Sequence, residues 1–419
     1  MLKKIAVDEL RLGMHLHSLC GNWADHPFWK ARFVICEPAD LAKLRDCSIL
    51  ECWIDTSKGL DVAPPVAAAA APVVIAARGP SSTPDPASGR GVSLAEELGR
   101  AAAVVKQSRA LMKSLFQEAR MGRAVDAELC QPLVNDITSS VCRNPSALIS
   151  LARLKTHDDY SYMHSVAVCA LMAALSRRLG QSEAQARDAG MAGLLHDMGK
   201  AMMPLDVLNK PGKLTEAEFD LMKSHPQCGH ELLRDSATVP LIALDVCLHH
   251  HERPDGKGYP FGLAEGTLTL DAKMGAVCDV YDAITSNRPY KNGWDPAESI
   301  SRMSEWSKSG QFDPSVYLAF LKSLGVYPVG SLVRMRSGRL GVVVEQSTTA
   351  LLQPFVKVFF STRSNMPIPV ELLDTSATSC NDRIAARESN AVWKFQHLDD
   401  LWAGPEALAA AAAPRPTSR

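Results

Sequence analysis

From Val62 to Gly91 the chain is almost entirely Ala, Pro, Ser and Gly, and this stretch constrains the fold more than any other. Such a segment cannot bury enough apolar surface to offset the entropy of ordering it, so it reads as a disordered linker. Whatever folds must do so on either side of it. That leaves a small domain over 1–61 and a much larger body from 92 onward.

The two sides carry different patterns. Before the linker, short apolar runs ("HLHSLC", "ARFVIC", "ECWIDT") and one helical pattern near Asp40 to Asp46 suit a small α/β or β-rich accessory domain. Over 92–325 helical signals dominate. "SLAE" at Ser93 and "TEAE" at Thr215 have the form of capping boxes, and Tyr160 to Leu179 places Val166, Val168, Leu171, Met172 and Leu175 as in a helix buried on much of its surface. After "GVYP", the runs "SLVRMRSGRLGVVVEQ" and "PFVKVFF" predict a small β domain over 326–375. Residues 376–419 form a C-terminal segment that ends in "ALAAAAAPRPTSR", expected to be a disordered tail. The fold class is therefore mainly α, with a small domain at each end.

Composition removes several function classes. The 45 lysines and arginines nearly cancel the 46 aspartates and glutamates, so no global field favours a nucleic-acid polymer or an anionic membrane, and an anionic substrate must be held by local charges. Eleven cysteines, scattered singly and without a CxxC pair, suggest reduced thiols in a cytoplasmic protein and argue against a structural cysteine-zinc site. The N-terminus lacks the apolar core of a signal peptide. The longest apolar stretch, Val62 to Ala77, is shorter than the roughly 20 residues of a membrane span and is broken by Pro64, Pro65 and Pro72.

Eight of the twelve histidines lie between His157 and His251, inside the helical block. A lone histidine on a helix is usually a satisfied core or surface residue, which is the reading for His157 and His230. His15, His17 and His26, near the N-terminus, likewise read as non-ligands. The others sit beside a second potential ligand or at a helix end. His196 adjoins Asp197 in "LLHDMGK", where Gly199 can end the helix. His225 precedes Pro226, which discourages helix continuation through it. His250 and His251 close another helix, and Asp279 and Asp282 share one helix face. Imidazole and carboxylate together suit Fe, Mn or Zn, and five histidines with two aspartates exceed what one tetrahedral ion needs. Two ions that share a hydroxide can clamp an in-line displacement at phosphorus. By spacing alone a phosphoester hydrolase and a structural or oxygen-handling metal bundle both remain open, although the paired Glu-x-x-His repeats of di-iron bundles are absent from the sequence.

The ordered motifs are more specific. His196-Asp197 with Gly199-Lys200, "NKPGKLTEAEF" from Asn209, "HPQCG" from His225, "HHE" from His250, Gly258-Tyr259-Pro260 and "DVYDAITSNRPYK" from Asp279 together resemble the HD-GYP family, a branch of the HD-domain metal phosphohydrolases, over about 155–310. Residues 1–60 look like the uncharacterised N-terminal domain often fused to it. The resemblance implies an all-helical phosphodiesterase that hydrolyses the bacterial second messenger cyclic di-GMP to pGpG or GMP through a metal-bridged hydroxide, with two divalent ions, Fe or Mn. It implies His164, His196, Asp197, His225, His250, His251 and Asp279 as metal ligands, with Asp197 the bridge; His249 is additional and expected not to be one. Lys200 is implied at the scissile phosphate, with Asp197 and Lys200 as the catalytic pair. Arg288 and Lys291 match phosphate-binding positions.

Further expectations follow from the same resemblance. Glu252 and Asp282 are expected to orient ligands through hydrogen bonds. Tyr259 is open between stacking on a base and packing. Members with three metals have a glutamate where this chain has Tyr160, so a third ion is not expected unless Asp158 or Asp159 supplies a substitute. The loop around Gly258 is implicated in signalling partners, and a homodimer is compatible with the family. The rival readings are a catalytically slow cyclic di-GMP binding module and an HD hydrolase of another nucleotide.

Overall fold

The structure is a computed structural model and describes residues 2–19, 33–35, 38–45, 51–60, 92–155, 160–210, 212–286, 293–347 and 350–411. The chain forms two compact units, residues 1–89 and 90–419. The linker expected over 62–91 lies outside the described residues, as do His26, His157, Asp158, Asp159, Arg288, Lys291 and the last eight residues of the tail.

The first unit is an antiparallel sheet of β1 (Leu2–Ala6), β2 (His15–Leu19), β3 (Phe33–Val34) and β4 (Glu51–Asp55) in the order β1-β4-β2-β3, with one helix, α1 (Pro38–Arg45). Alternation along β4 turns Cys52 and Ile54 inward and Glu51 and Trp53 outward, as the two-residue period of a strand requires. Cys52 and Ile54 join Leu10, Met14, Leu16, Ile35 and Leu44 in a small core of this unit's own.

The second unit is mainly helical. It begins with α2 (Leu94–Arg120), whose capping box is formed by Ser93 and Glu96. The next two helices are α3 (Gln131–Arg143) and α4 (Pro145–Arg153). Glu97 of α2 is fully buried, which an isolated carboxylate could not tolerate. It accepts two hydrogen bonds from Arg143, at 2.7 Å each, and one from Ser140 at 2.9 Å, and so ties α2 to α3.

Helices α5 (Tyr160–Arg178) and α6 (Glu183–Leu195) form the centre. All residues of α5 from Met163 to Ser176 are buried. A Cβ at Gly193 of α6 would lie 2.8 Å from the Val168 carbonyl, so glycine permits the close crossing of these two helices. A 3₁₀ turn (Met198–Met202) follows, then α7 (Leu205–Leu208), α8 (Glu216–Met222), α9 (His225–Arg234), α10 (Leu241–His249), α11 (Leu270–Thr285), α12 (Pro296–Lys308) and α13 (Pro314–Leu324). Thr215 and Glu218 form the capping box of α8.

Gly199 acts differently from the helix stop expected of it. Helix α6 has already ended at Leu195, with His196 as its C-cap. The missing side chain of Gly199 instead makes room: a Cβ there would lie 1.8 Å from the His225 carbonyl, and one at Gly229 would lie 2.8 Å from the Gly199 nitrogen. The turn that carries Asp197 and the first turn of α9 therefore meet backbone to backbone.

The C-terminal sheet comprises β5 (Leu332–Met335), β6 (Arg339–Glu345), β7 (Phe355–Ser361), β8 (Met366–Asp374) and β9 (Ile384–Arg387), in the order β8-β7-β6-β5-β9. Two features depart from the sequence expectation. The sheet does not end at 375, because β9 pairs antiparallel with β5. The alanine-rich end is helical within the described residues: after α14 (Asn390–Trp393), helix α15 (Gly404–Ala411) lies against α2 and buries Ala407 and Ala411, next to buried Trp402 and Ala403. Alanine allows this because its short side chain lets two helices approach closely at little entropic cost.

Candidate metal centre

Five elements meet at one point. Helix α5 supplies His164, the end of α6 supplies His196 and Asp197, the start of α9 supplies His225, the end of α10 supplies His250 and His251, and the middle of α11 supplies Asp279. The helix termini matter because a residue at a helix end can aim across the bundle axis. Pro226 in the first turn of α9 fixes that start at His225.

The Asp197 carboxylate lies between two groups of imidazoles. Its Oδ1 faces His225 Nε2 at 3.2 Å and His250 Nε2 at 3.7 Å. Its Oδ2 faces His164 Nε2 at 3.3 Å and His196 Nε2 at 3.4 Å. Asp279 spans the same gap, with Oδ1 2.9 Å from His164 Nε2 and Oδ2 3.7 Å from His251 Nδ1. Two ligand-like triads, His164–His196–Asp279 and His225–His250–His251, result, and a third group, His196–Asp197–His250, joins them; in each the donor atoms lie within 4.8 Å of one another.

Hydrogen bonds behind the rings fix the tautomers. Nδ1 donates to the Gly193 carbonyl from His196 (2.8 Å), to the Met222 carbonyl from His225 (2.7 Å), and to the Val246 and Cys247 carbonyls from His250 (3.0 and 3.1 Å). A neutral ring that donates from Nδ1 presents a bare lone pair at Nε2. Burial, with the neighbouring imidazoles His251 and His196, holds His250 well below the usual histidine range. Burial opposes the charge on Asp197 and Asp279, yet Lys200 and the imidazoles of His196, His164 and His225 hold Asp197, and those of His164, His196 and His251 hold Asp279, well below the usual range.

Ligands that converge in this way need a cation among them. His196 Nε2 and Asp197 Oδ1 are buried without a hydrogen-bond partner in the protein. An orphaned lone pair of this kind is costly unless a positive centre meets it. Five imidazoles and two carboxylates fit the donor preferences of divalent Fe, Mn or Zn.

The remaining candidates divide. Lys200 donates to Asp197 Oδ2 at 2.5 Å and is partly exposed, so its ammonium lies between the carboxylate and solvent. Tyr259 stacks on His251, with ring centroids 4.6 Å apart. His249 turns away and meets Asp245 at 2.8 Å through Nδ1. Asp282 accepts from His164 Nδ1 at 2.6 Å. Glu252 departs from expectation: its carboxylate accepts the backbone N–H groups of Phe261 (2.7 Å) and Leu263 (2.9 Å). Its geometry is that of a clasp on the Gly258 loop rather than an orienting partner for an imidazole. His15 and His17 lie in β2 of the first unit, and no metal-ligating group is found there among the described residues.

Sequence reasoning missed three features. Lys155, buried, pairs with Asp282 and donates to Ser286 Oγ at 2.9 Å, so a cation backs the carboxylate that backs His164. Nothing in the local pattern signals a partner 127 residues away. Tyr160 stacks on His164, with ring centroids 5.9 Å apart and the rings nearly parallel. The third is a cleft of about 830 Å³ beside the centre, whose walls include Phe116, Gln117 and Arg120 of α2 together with Lys200, His251 and Asp279.

Comparison with known proteins agrees with this architecture. The sequence profile of the HD domain matches residues 136–316, and that of a domain of unknown function, DUF3391, matches residues 2–130. The chain is 54% identical, over 405 residues and 96% of both proteins, to "Cyclic di-GMP phosphodiesterase PA4108" of Pseudomonas aeruginosa. It is 44% identical to "Cyclic di-GMP phosphodiesterase response regulator RpfG" of Xanthomonas campestris over 35% of this chain and 39% of that one. With nearly full-length identity to such a relative, the protein belongs to the HD-GYP family of HD-domain proteins, in the form that carries the DUF3391 domain at its N-terminus.

Proposed function

We propose that the protein is a metal-dependent phosphodiesterase that hydrolyses cyclic di-GMP to pGpG or GMP, with two divalent ions, Fe or Mn, as cofactors. The observation that carries this reading is the Asp197 carboxylate, which offers one oxygen to each of two histidine groups. His164, His196 and Asp279 would hold one ion and His225, His250 and His251 the other, with Asp197 between them. Bound ions supply Lewis-acid polarisation of the phosphoryl oxygens and a lowered pKa for the attacking water.

The chain's own residues supply the rest. The backbone carbonyls behind His196, His225 and His250 keep their Nε2 atoms free to bind. Lys200, at the cleft surface, places a cation where charge develops on the phosphoryl oxygens. Water adds to phosphorus, the P–O3′ bond breaks, and the departing 3′-oxygen takes up a proton, leaving a 5′-phosphate and a 3′-hydroxyl. Arg288 and Lys291 belong to the same reading as phosphate ligands, and Tyr259, stacked on His251, as a wall for a base. The relatives' printed activities support the substrate class. The described cysteines are all free, as a reducing cytoplasm would keep them.

Metal analysis and product chromatography on one anaerobic preparation test the proposal. About two Fe or Mn per chain, with cyclic di-GMP consumed and pGpG or GMP formed, is expected, and the His196→Ala/Asp197→Ala protein should lose both. A metal-loaded parent that binds cyclic di-GMP and leaves it intact over hours would make the protein a binding module instead.

A further inference from the structure

The cleft beside the metal centre is not built by the HD domain alone. Phe116, Gln117 and Arg120 come from the last turns of α2. These residues precede the stretch that matches the HD domain and fall inside the stretch that matches DUF3391. Part of the substrate wall is therefore contributed by a helix assigned to the accessory region.

The cations of this cleft differ in how far they are neutralised. Lys200 is paired with Asp197 at 2.5 Å, and Lys210 with Glu218 at 2.5 and 2.7 Å. Arg120 donates Nη1 to the Met203 carbonyl at 3.2 Å and, among the described residues, meets no carboxylate. Its guanidinium thus has donors left over at the cleft wall. Its position is set relative to Lys200, because the Met203 N–H donates to the Lys200 carbonyl at 3.2 Å and closes one 3₁₀ turn. Arg120 itself is carried by α2, and its contact with the Met203 carbonyl sets its side chain against the end of the turn that carries Lys200.

A cyclic dinucleotide has two phosphates in one ring, and only one can be cleaved at a time. The other keeps its negative charge and is stabilised by a cation elsewhere in the cleft. We propose that Arg120 is a substrate-binding residue that takes this second, non-reacting phosphate through the fork geometry of its guanidinium. The assignment rests on the cyclic di-GMP reading of the site. It also gives α2 a part in substrate affinity besides packing on the bundle.

Steady-state kinetics of the metal-loaded parent, Arg120→Ala and Arg120→Lys proteins test this, with cyclic di-GMP and with bis(p-nitrophenyl) phosphate, which has a single phosphate. For Arg120→Ala, KM for cyclic di-GMP should rise about ten- to a hundredfold, the loss expected for hydrogen bonds to a charged group. Its kcat should be little changed, turnover of the small diester unaffected and the melting temperature that of the parent. Lysine should recover part of the affinity. An unchanged KM, equal impairment on both substrates, or no recovery with lysine would overturn the assignment while leaving the phosphodiesterase intact. A parent that cleaves the small diester but not cyclic di-GMP would instead sink the substrate reading, and the Arg120 assignment with it.

Discussion

His225 and His250 point their Nε2 atoms at each other across 3.4 Å, and each already donates its Nδ1–H in a hydrogen bond to a backbone carbonyl. Two lone pairs facing at that distance repel, and a cation between them turns the repulsion into binding. Loading the metal-free chain with Mn or Fe should therefore raise its melting temperature, because an ion that binds only the folded state stabilises it. His225→Ala should lose about one metal per chain and most of the turnover, while the helices persist by circular dichroism. Unchanged metal content in this variant would show that the His225–His250 pair is not a ligand set.

Behind the other triad, Lys155, Asp282 and His164 form a chain of contacts in the core. A hydrogen bond from a carboxylate orients a ligating imidazole and raises its basicity, and its loss typically weakens metal binding or activity about 10- to 100-fold. Asp282→Asn should show a loss of that size in Mn titrations. Lys155→Met should be worse for folding, by roughly 3–5 kcal/mol, because it leaves a buried carboxylate without its cation. Urea unfolding of Lys155→Met, Asp282→Asn and the double variant checks this, and the double variant should recover part of the stability lost by Lys155→Met.

Glu252 is buried and holds the loop through the backbone N–H groups of Phe261 and Leu263. Hydrogen bonds to a charged group contribute about 1.5–3 kcal/mol. Glu252→Ala should therefore speed amide exchange at Phe261 and Leu263 by one to two orders of magnitude while metal content stays at the parent value. Loss of metal without faster exchange would return Glu252 to the ligand-orienting role that its sequence position suggested.

Glu97 gives a pH dependence remote from the metals. Burial opposes its charge, but Arg143 and Ser140 hold its carboxyl below the ordinary value of 4.5. A depressed folded-state pKa contributes stability that is present above the unfolded value and is lost as pH falls through the folded one. Glu97→Gln should cost about 1.5 kcal/mol near neutral pH, toward the lower end for a charged partner because Arg143 reaches solvent. The gap between parent and variant should close as pH falls below about 4.5. A gap in urea midpoints that stays constant from pH 7 to pH 3 would contradict this.

The mainly α class, the capping boxes at Ser93 and Thr215, and the positions of His225 and His250 at helix ends were legible because capping and proline effects act within one turn of chain. The C-terminal sheet was read as ending too early because β9 lacks a strong pattern of its own and is defined by its pairing with β5. Helix α15 was read as tail because its alanines become apolar burial only when α2 lies beside them.

At the site the same division holds. The sequence by itself determined which residues have ligand chemistry and which of them lie at helix ends, since residue type and local punctuation are properties of a short segment. Only the tertiary structure decided what these residues meet: that Gly199 and Gly229 serve a backbone contact which sets Asp197 beside His225, that Glu252 clasps a loop, that Lys155 backs Asp282, and that α2 brings Arg120 to the cleft. Each of these is a contact between segments separated along the chain, fixed by close packing of the whole core, and no local preference encodes it.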